Sequence, residues 1–264
     1  MIWTNTFPRA ALLLAAASFL PAALIAQDAA PTGTILIAHG AGPDWNAQVE
    51  EIARVAQLDG PLEVSYLMGP GAEANPFHIA AQRLAEQGVR EIVVVPLLVS
   101  SYSGHFEQLR YLVGETDELD EVMMHHLGMA GIQRPDVAVP IHLAGGFDDS
   151  PAVARVLAER ALALAESPSE QALFLMAHGP NSAEDNAAWM KNLRTLAEQV
   201  KSTPGFQHVH VGTVRDDAPE LVRAEAVRGI REVITLQHEA TGRPVVVVPV
   251  LISTGQVSRE KFPR

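Results

Sequence analysis

Two short stretches decide how this chain reads: Leu36–Gly40, LIAHG, and Leu175–Gly179, LMAHG. Each closes an apolar run and is followed by a small polar turn and an amphipathic segment. Short apolar runs that alternate with helix-period segments are buried strands of parallel sheets. Thr34–Ala38, Leu62–Leu67, Glu91–Val99 and Val137–Leu143 read as four such strands. Helices are expected over 44–58, 76–87 and 105–113, and again after Ser150–Pro151, an N-cap candidate followed by proline at the first helical position. The pattern then restarts. Ala172–Ala177, His208–Gly212 and Pro244–Ser253 read as strands, with helices over 183–201 and 219–239 between them. Strand–helix alternation of this kind specifies an α/β fold with parallel sheets flanked by helices.

The restart is an internal repeat. ILIAHGAGPDWNAQ matches LFLMAHGPNSAEDNAAW, EANPFHIAAQRL matches DDAPELVRAEAV, and EIVVVPLLVSS matches PVVVVPVLIST, all in the same order. Two similar lobes are therefore expected, 32–167 and 172–264, with a cleft between them. Their joint is the polar segment SPSEQ, Ser167–Gln171. The second lobe looks short beside the first, since the chain stops soon after its third strand.

Composition narrows the chemistry. The 264 residues include no cysteine, which removes thiolate ligands, disulfides and a cysteine nucleophile. A metal would have to be held by histidine, carboxylate or main-chain groups. A formal net charge of −12 argues against nucleic acid as partner. No P-loop or G-x-S-x-G elbow occurs, and neither His-Gly follows an arginine, as a phospho-histidine phosphatase motif would. Residues 1–26 carry one basic residue, Arg9, then an uncharged run from Ala10 to Ala26 broken by Pro21. That layout predicts a secretory signal cleaved near Ala26, a periplasmic or secreted product, and no stable membrane span afterwards.

In open α/β sheets ligands bind outside the carboxyl ends of the strands. His39 sits at such an end, and Gly40 opens space beside it. His105 follows the third strand through SSYSG and is expected on the same edge. Two neutral imidazoles converging there suit Co²⁺, Ni²⁺, Fe²⁺ or Zn²⁺. Glu73 is placed on that edge as a third group, either completing the site or moving protons. Ser100, Ser101, His142 and His178 join Gly40 as candidate lining of the ligand crevice. His178 repeats the position of His39, but the segment after Pro249 reads VLISTGQ and offers no counterpart to His105. One functional site, with lobe two as its supporting wall, is the economical expectation. His125 and His126 are adjacent in EVMMHHLG, so a shared helix face is not expected for them.

ILIAHGAGPDWNAQVEEIA, NPFHIAAQRLAEQGVREIVVVPLLVSSYSGH and GGFDDSPAVARVLAERAL together resemble the class II, ATP-independent chelatases, of the sirohydrochlorin cobalto- or ferrochelatase type. The resemblance spans Thr34 to about Ala165 and continues more weakly through PVLISTGQ. It implies a bilobal fold with a tetrapyrrole in the cleft and a divalent metal, Co²⁺, Fe²⁺ or Ni²⁺, as substrate, without nucleotide. It implies that His39 and His105 bind that metal, and that one of them helps remove pyrrole protons. The apolar leader favours an alternative: an exported metal- or tetrapyrrole-binding protein with a chelatase fold and no catalytic role. Arg110, Lys191, Arg194 and Arg215 are the basic groups that would offset the acidic chain near a polycarboxylate ligand.

Overall fold

The structure is a computed structural model that describes residues 30–203 and 205–252. The expected signal segment and the STGQ stretch lie outside the described residues. The first sheet is built from β1 (Thr32–Ala38), β2 (Leu62–Tyr66), β3 (Glu91–Leu97) and β4 (Ile141–Leu143). Between these strands run α1 (Pro43–Val55), α2 (Gly69–Ala74), α3 (Phe77–Glu86), α4 (Gly104–Val113) and α5 (Glu121–Met129). Helix α6 (Pro151–Leu164) leads to the second sheet, of β5 (Ala172–Ala177), β6 (His208–Thr213) and β7 (Val246–Pro249). Its helices are α7 (Ala183–Lys201) and α8 (Glu220–Thr241). All pairings are parallel, in the orders β2-β1-β3-β4 and β6-β5-β7. The repeat seen in the sequence is thus a repeat of topology, with β1 and β5 in equivalent central places. Among the described residues no helix is long and apolar enough to cross a membrane.

Equivalence extends to the turns. Leu67 N–H donates to the Ala38 carbonyl at 3.0 Å, and Val214 N–H donates to the Ala177 carbonyl at 2.9 Å, so both His-Gly turns leave the sheet at the same rung. Gly40 and Gly179 have φ of +86° and +78°, and a Cβ would collide with the Met68 carbonyl oxygen or the Thr213 side chain. Only glycine meets both demands at little cost. Gly40 is therefore required by the turn itself.

Elements departed from expectation for identifiable reasons. The glycine-rich GPGAEA is the short helix α2, and EVMMHHLGM is α5, started by Asp120, whose side chain accepts from Val122 N–H at 2.9 Å. Strand β4 begins after Pro140 and not at Val137. Proline has no N–H to give the ladder, while its carbonyl accepts from Ile92 N–H at 2.9 Å. Past Leu97 the chain leaves the sheet, and the Leu98 and Val99 carbonyls accept from Phe147 and Asp148 N–H.

Two apolar cores form, one around each sheet, and they interlock. Helix α6 follows the first sheet in sequence but buries Ala154, Leu157, Ala158 and Ala161 in the second core, against Leu173, Leu175 and Val248. Val99 and Tyr102 also pack on the second core, whereas Ile252 packs on the first. Arg160 of α6 donates to the Leu251 carbonyl at 2.7 Å. The joint expected at Ser167–Gln171 is tied down by buried Gln171, which accepts from Glu166 and Ser167 N–H and donates to the Pro244 carbonyl at 3.0 Å.

A carboxylate ties the two lobes together. Asp148, at φ +44°, accepts from Ser101 N–H at 2.8 Å, from Ser101 Oγ at 2.7 Å and from Asn192 Nδ2 of α7 at 3.1 Å. Hydrogen bonds to an ionised acceptor are the stronger kind, but this one is only half-buried. Asp148→Ala is expected to lower stability by about 1–3 kcal/mol in urea unfolding, with Asp148→Asn, which tolerates the positive φ, losing less.

Candidate functional site

The register of the first sheet assembles the site. Ala38 pairs with Leu97, so the residues that follow β1 and β3 emerge together. His39 follows β1 directly. From β3 the chain runs through the loop 98–103 into α4, where Ser103 caps the helix by accepting from Phe106 N–H at 3.2 Å. That places His105 in the first turn of α4. The two imidazoles lie with ring centroids 4.5 Å apart and planes at 80°. They are close enough to share one ion, since metal–imidazole bonds are about 2.0–2.1 Å.

Each ring is held by one nitrogen. His39 Nδ1 lies 2.7 Å from the Gly40 carbonyl oxygen. A carbonyl only accepts, so Nδ1 carries the proton and Nε2 keeps its lone pair. His105 Nδ1 lies 2.8 Å from Gln108 Oε1. Fully buried Gln108 donates its Nε2 to the Met123 carbonyl of α5 at 2.8 Å, which orients its oxygen towards His105. His105 is thereby set in the same tautomer. Outer partners that fix tautomer and ring direction are the usual support of metal-binding histidines. Gln108 carries no metal-binding signature in the sequence; its position one turn after His105 was the available sign.

Burial keeps both rings neutral. Desolvation lowers the pKa of His39, against the opposing bond to Gly40, with His178 and His126 adding smaller effects in the same direction as burial. Desolvation, then the neighbouring His39, pushes His105 down to about 4, while its bond to Gln108 acts the other way. Four imidazoles, His39, His105, His126 and His178, therefore share one electrostatic neighbourhood. His126 faces inward from α5, and its buried Nδ1 has no hydrogen-bond partner; His125 is exposed. Helix geometry thus separates the adjacent pair and brings only His126 to the site. Among the described residues, no third His or carboxylate atom closes on His39 and His105 within 4.8 Å. The pair is an open ligand set.

Other expected site residues lie differently. Glu73 is exposed on α2, and no hydrogen bond or ion pair joins it to either imidazole. His142 is in the middle of β4, paired with Val93, and its Nε2 lies 3.7 Å from Glu91 at the amino end of β3. It is four residues from the Ala38–Leu97 rung that precedes His39, about 13 Å along a strand. The crevice edge is reached instead by Gly145 and Gly146, because β4 starts late. Ser100 is buried and accepts from Tyr102 N–H, and Ser101 is occupied by Asp148 and by Gly146 N–H at 2.8 Å. Both serines shape the loop that delivers His105. His178 repeats the geometry of His39, with Nδ1 2.9 Å from the Gly179 carbonyl oxygen. Of the basic groups, Arg110 pairs with Glu107 and Arg215 is drawn onto the Pro180 and Asn181 carbonyls. Lys191 and Arg194 form no ion pair among the described residues.

The chain is similar in fold to SirB from Bacillus subtilis with Fe3+, at 16% identity and a TM-score of 0.58, over 88% of this chain and 81% of that one. It overlaps more loosely, with a TM-score of 0.39 and 15% identity, with CbiX, the terminal enzyme for biosynthesis of siroheme in denitrifying bacteria, over 84% of this chain and 92% of that one. No curated protein matches it in sequence. The CbiX family model matches residues 33–164, which hold all of the first sheet but its first residue, together with His39 and His105. With half of its length matched by that model, the chain belongs to the CbiX family.

Proposed function

We propose that this protein is a sirohydrochlorin-type chelatase, which inserts a divalent metal, Co²⁺ or Fe²⁺, into a tetrapyrrole held in the cleft, without ATP. The observation that carries this reading is the pair His39 and His105, neutral, adjacent and both presenting Nε2. A chelatase has to hold its substrate metal and then release it. Two imidazole ligands with no third protein group leave most of the coordination sphere to water and to incoming pyrrole nitrogens. Burial reinforces this role, because a ring with pKa near 4 competes poorly for protons and stays available to metal.

Insertion of M²⁺ expels two pyrrole N–H protons. His39 Nε2, freed as the metal passes to the ring, accepts one of them. The second passes to the water that the open ligand set leaves around the metal. A positioned base such as His39 contributes by holding the acceptor at the reacting proton. Cleft walls braced by Asp148 supply the binding energy that distorts the macrocycle and exposes its nitrogens. The leader expected over residues 1–26 supports a periplasmic or exported location for this reaction.

Mixing the purified protein with Co²⁺ or Fe²⁺ and sirohydrochlorin is expected to change the tetrapyrrole absorption spectrum faster than the spontaneous reaction. His39→Ala and His105→Ala are each expected to lower kcat/KM by about 100-fold or more. Metal binding with no rate above background would leave a binding protein in place of an enzyme.

The pH dependence has a definite sign. Metal needs neutral imidazole, and the folded pKa of His105 lies below its ordinary 6.5, at about 4. Co²⁺ affinity is therefore expected to persist at pH 6 and to be lost as pH falls towards 4. An ordinary exposed pair would lose it near 6.5. The same depression acts on the fold: below pH 6.5 the unfolded chain takes up protons that folded His105 refuses, so stability falls across that window. Calorimetric Co²⁺ titrations and urea unfolding between pH 4 and 7 measure the two effects.

A further inference from the structure

His178 has no histidine partner, but it does have partners. Its Nδ1–H donates to the Gly179 carbonyl, which leaves Nε2 as the nitrogen open to a metal ion, as in His39. That Nε2 lies 3.4 Å from Asp217 Oδ2. With Asp216, the three residues offer ligand atoms that all lie within 4.8 Å of one another. His178 and Asp217 are open to solvent, at 40% and 72% side-chain exposure, whereas Asp216 is mostly buried, at 15%.

Arg215 sets the arrangement before any ligand arrives. It is a non-glycine residue at φ +53°, and its N–H donates to the His178 carbonyl at 2.6 Å. Its guanidinium clasps the Pro180 carbonyl at 3.1 Å and that of Asn181. The loop bearing the histidine is thus bolted to the turn bearing the two aspartates. Arg223 Nε binds Asp216 Oδ1 at 2.9 Å and offsets part of the negative charge. One imidazole nitrogen and two carboxylates select a borderline transition-metal ion over Ca²⁺ or Mg²⁺, which prefer oxygen alone. Partial neutralisation by Arg223 makes the hold weak and exchangeable.

We propose that His178, Asp216 and Asp217 form a second divalent-cation site, on the wall of lobe two. Two independent features carry it: a converged nitrogen–oxygen ligand set, and a His-Gly unit with the same backbone turn and the same fixed tautomer as the one that presents His39. His178 lies close enough to act electrostatically on both His39 and His105. The site holds the metal ion before it passes to that pair; this role rests on the chelatase reading, whereas the cation site itself does not.

The test is a Co²⁺ count on the full chain by equilibrium dialysis, with affinities from calorimetry. The wild type is expected to bind two ions, and the double variant His39→Ala/His105→Ala one. In that background Asp217→Asn, an isosteric change at an exposed position, is expected to weaken the remaining site at least about tenfold, the lower bound for removing a group that supports a metal ligand. His178→Ala is expected to do the same. One ion in the wild type and none in the double variant, or residual binding unchanged by Asp217→Asn and His178→Ala, overturns the proposal. Metal insertion is scored separately. Two ions without insertion would sink the chelatase reading and leave the site standing, and insertion with one ion would do the reverse. With both in place, Asp217→Asn alone is expected to raise the KM for metal with little change in kcat.

Discussion

Parallel pairing of β1 with β3, with Ala38 set against Leu97, is the constraint on which the rest of this molecule depends. It aligns the carboxyl ends of two strands, so that the residue after one and the loop after the other meet. His39 needs only the next peptide plane to hold it. His105 needs a six-residue loop, a serine cap and a buried glutamine anchored on another helix. The site is thus half local and half tertiary, and a shift of one residue in register would turn the exit directions apart.

The second sheet repeats the order of the first and keeps its His-Gly turn, yet the two turns have different company. In lobe one, the loop after the third strand contributes His105. In lobe two, the turn after β6 contributes Asp216 and Asp217, held in place by Arg215. Repetition preserved the presenting unit, a histidine whose Nδ1–H is donated to the next carbonyl. The surrounding loops decided what that unit works with. Interlocked cores keep the two halves in one arrangement, because α6 leaves the first sheet to complete the second core.

Much of the fold was legible along the chain. Ala172–Ala177 and 183–201 agree with β5 and α7 to the residue, since apolar strand runs and capped helix periods leave clear marks. The apolar run 137–143 suggests a longer strand than β4, because a proline in such a run does not show which side of the ladder it faces. Short helices α2 and α5 leave little mark in the sequence: one is glycine-rich, and the other has no clear apolar stripe. The pairing of His39 with His105 was legible because both follow strands of one parallel sheet. The place of His142 was not legible for a related reason, since its distance from the crevice depends on where β4 begins.

What the sequence determined by itself was the repeat, the α/β architecture and the two histidines at one sheet edge. These follow from periodicity and chain order, which are properties of neighbouring residues. The tertiary structure alone decided that Gln108 sets the tautomer of His105, that His126 and not His125 turns inward, that Asp148 ties the lobes, and that His178 meets Asp216 and Asp217. Each of those depends on where a side chain from a distant segment arrives, and on the burial that makes its polar atoms matter. Neither is written in local pattern.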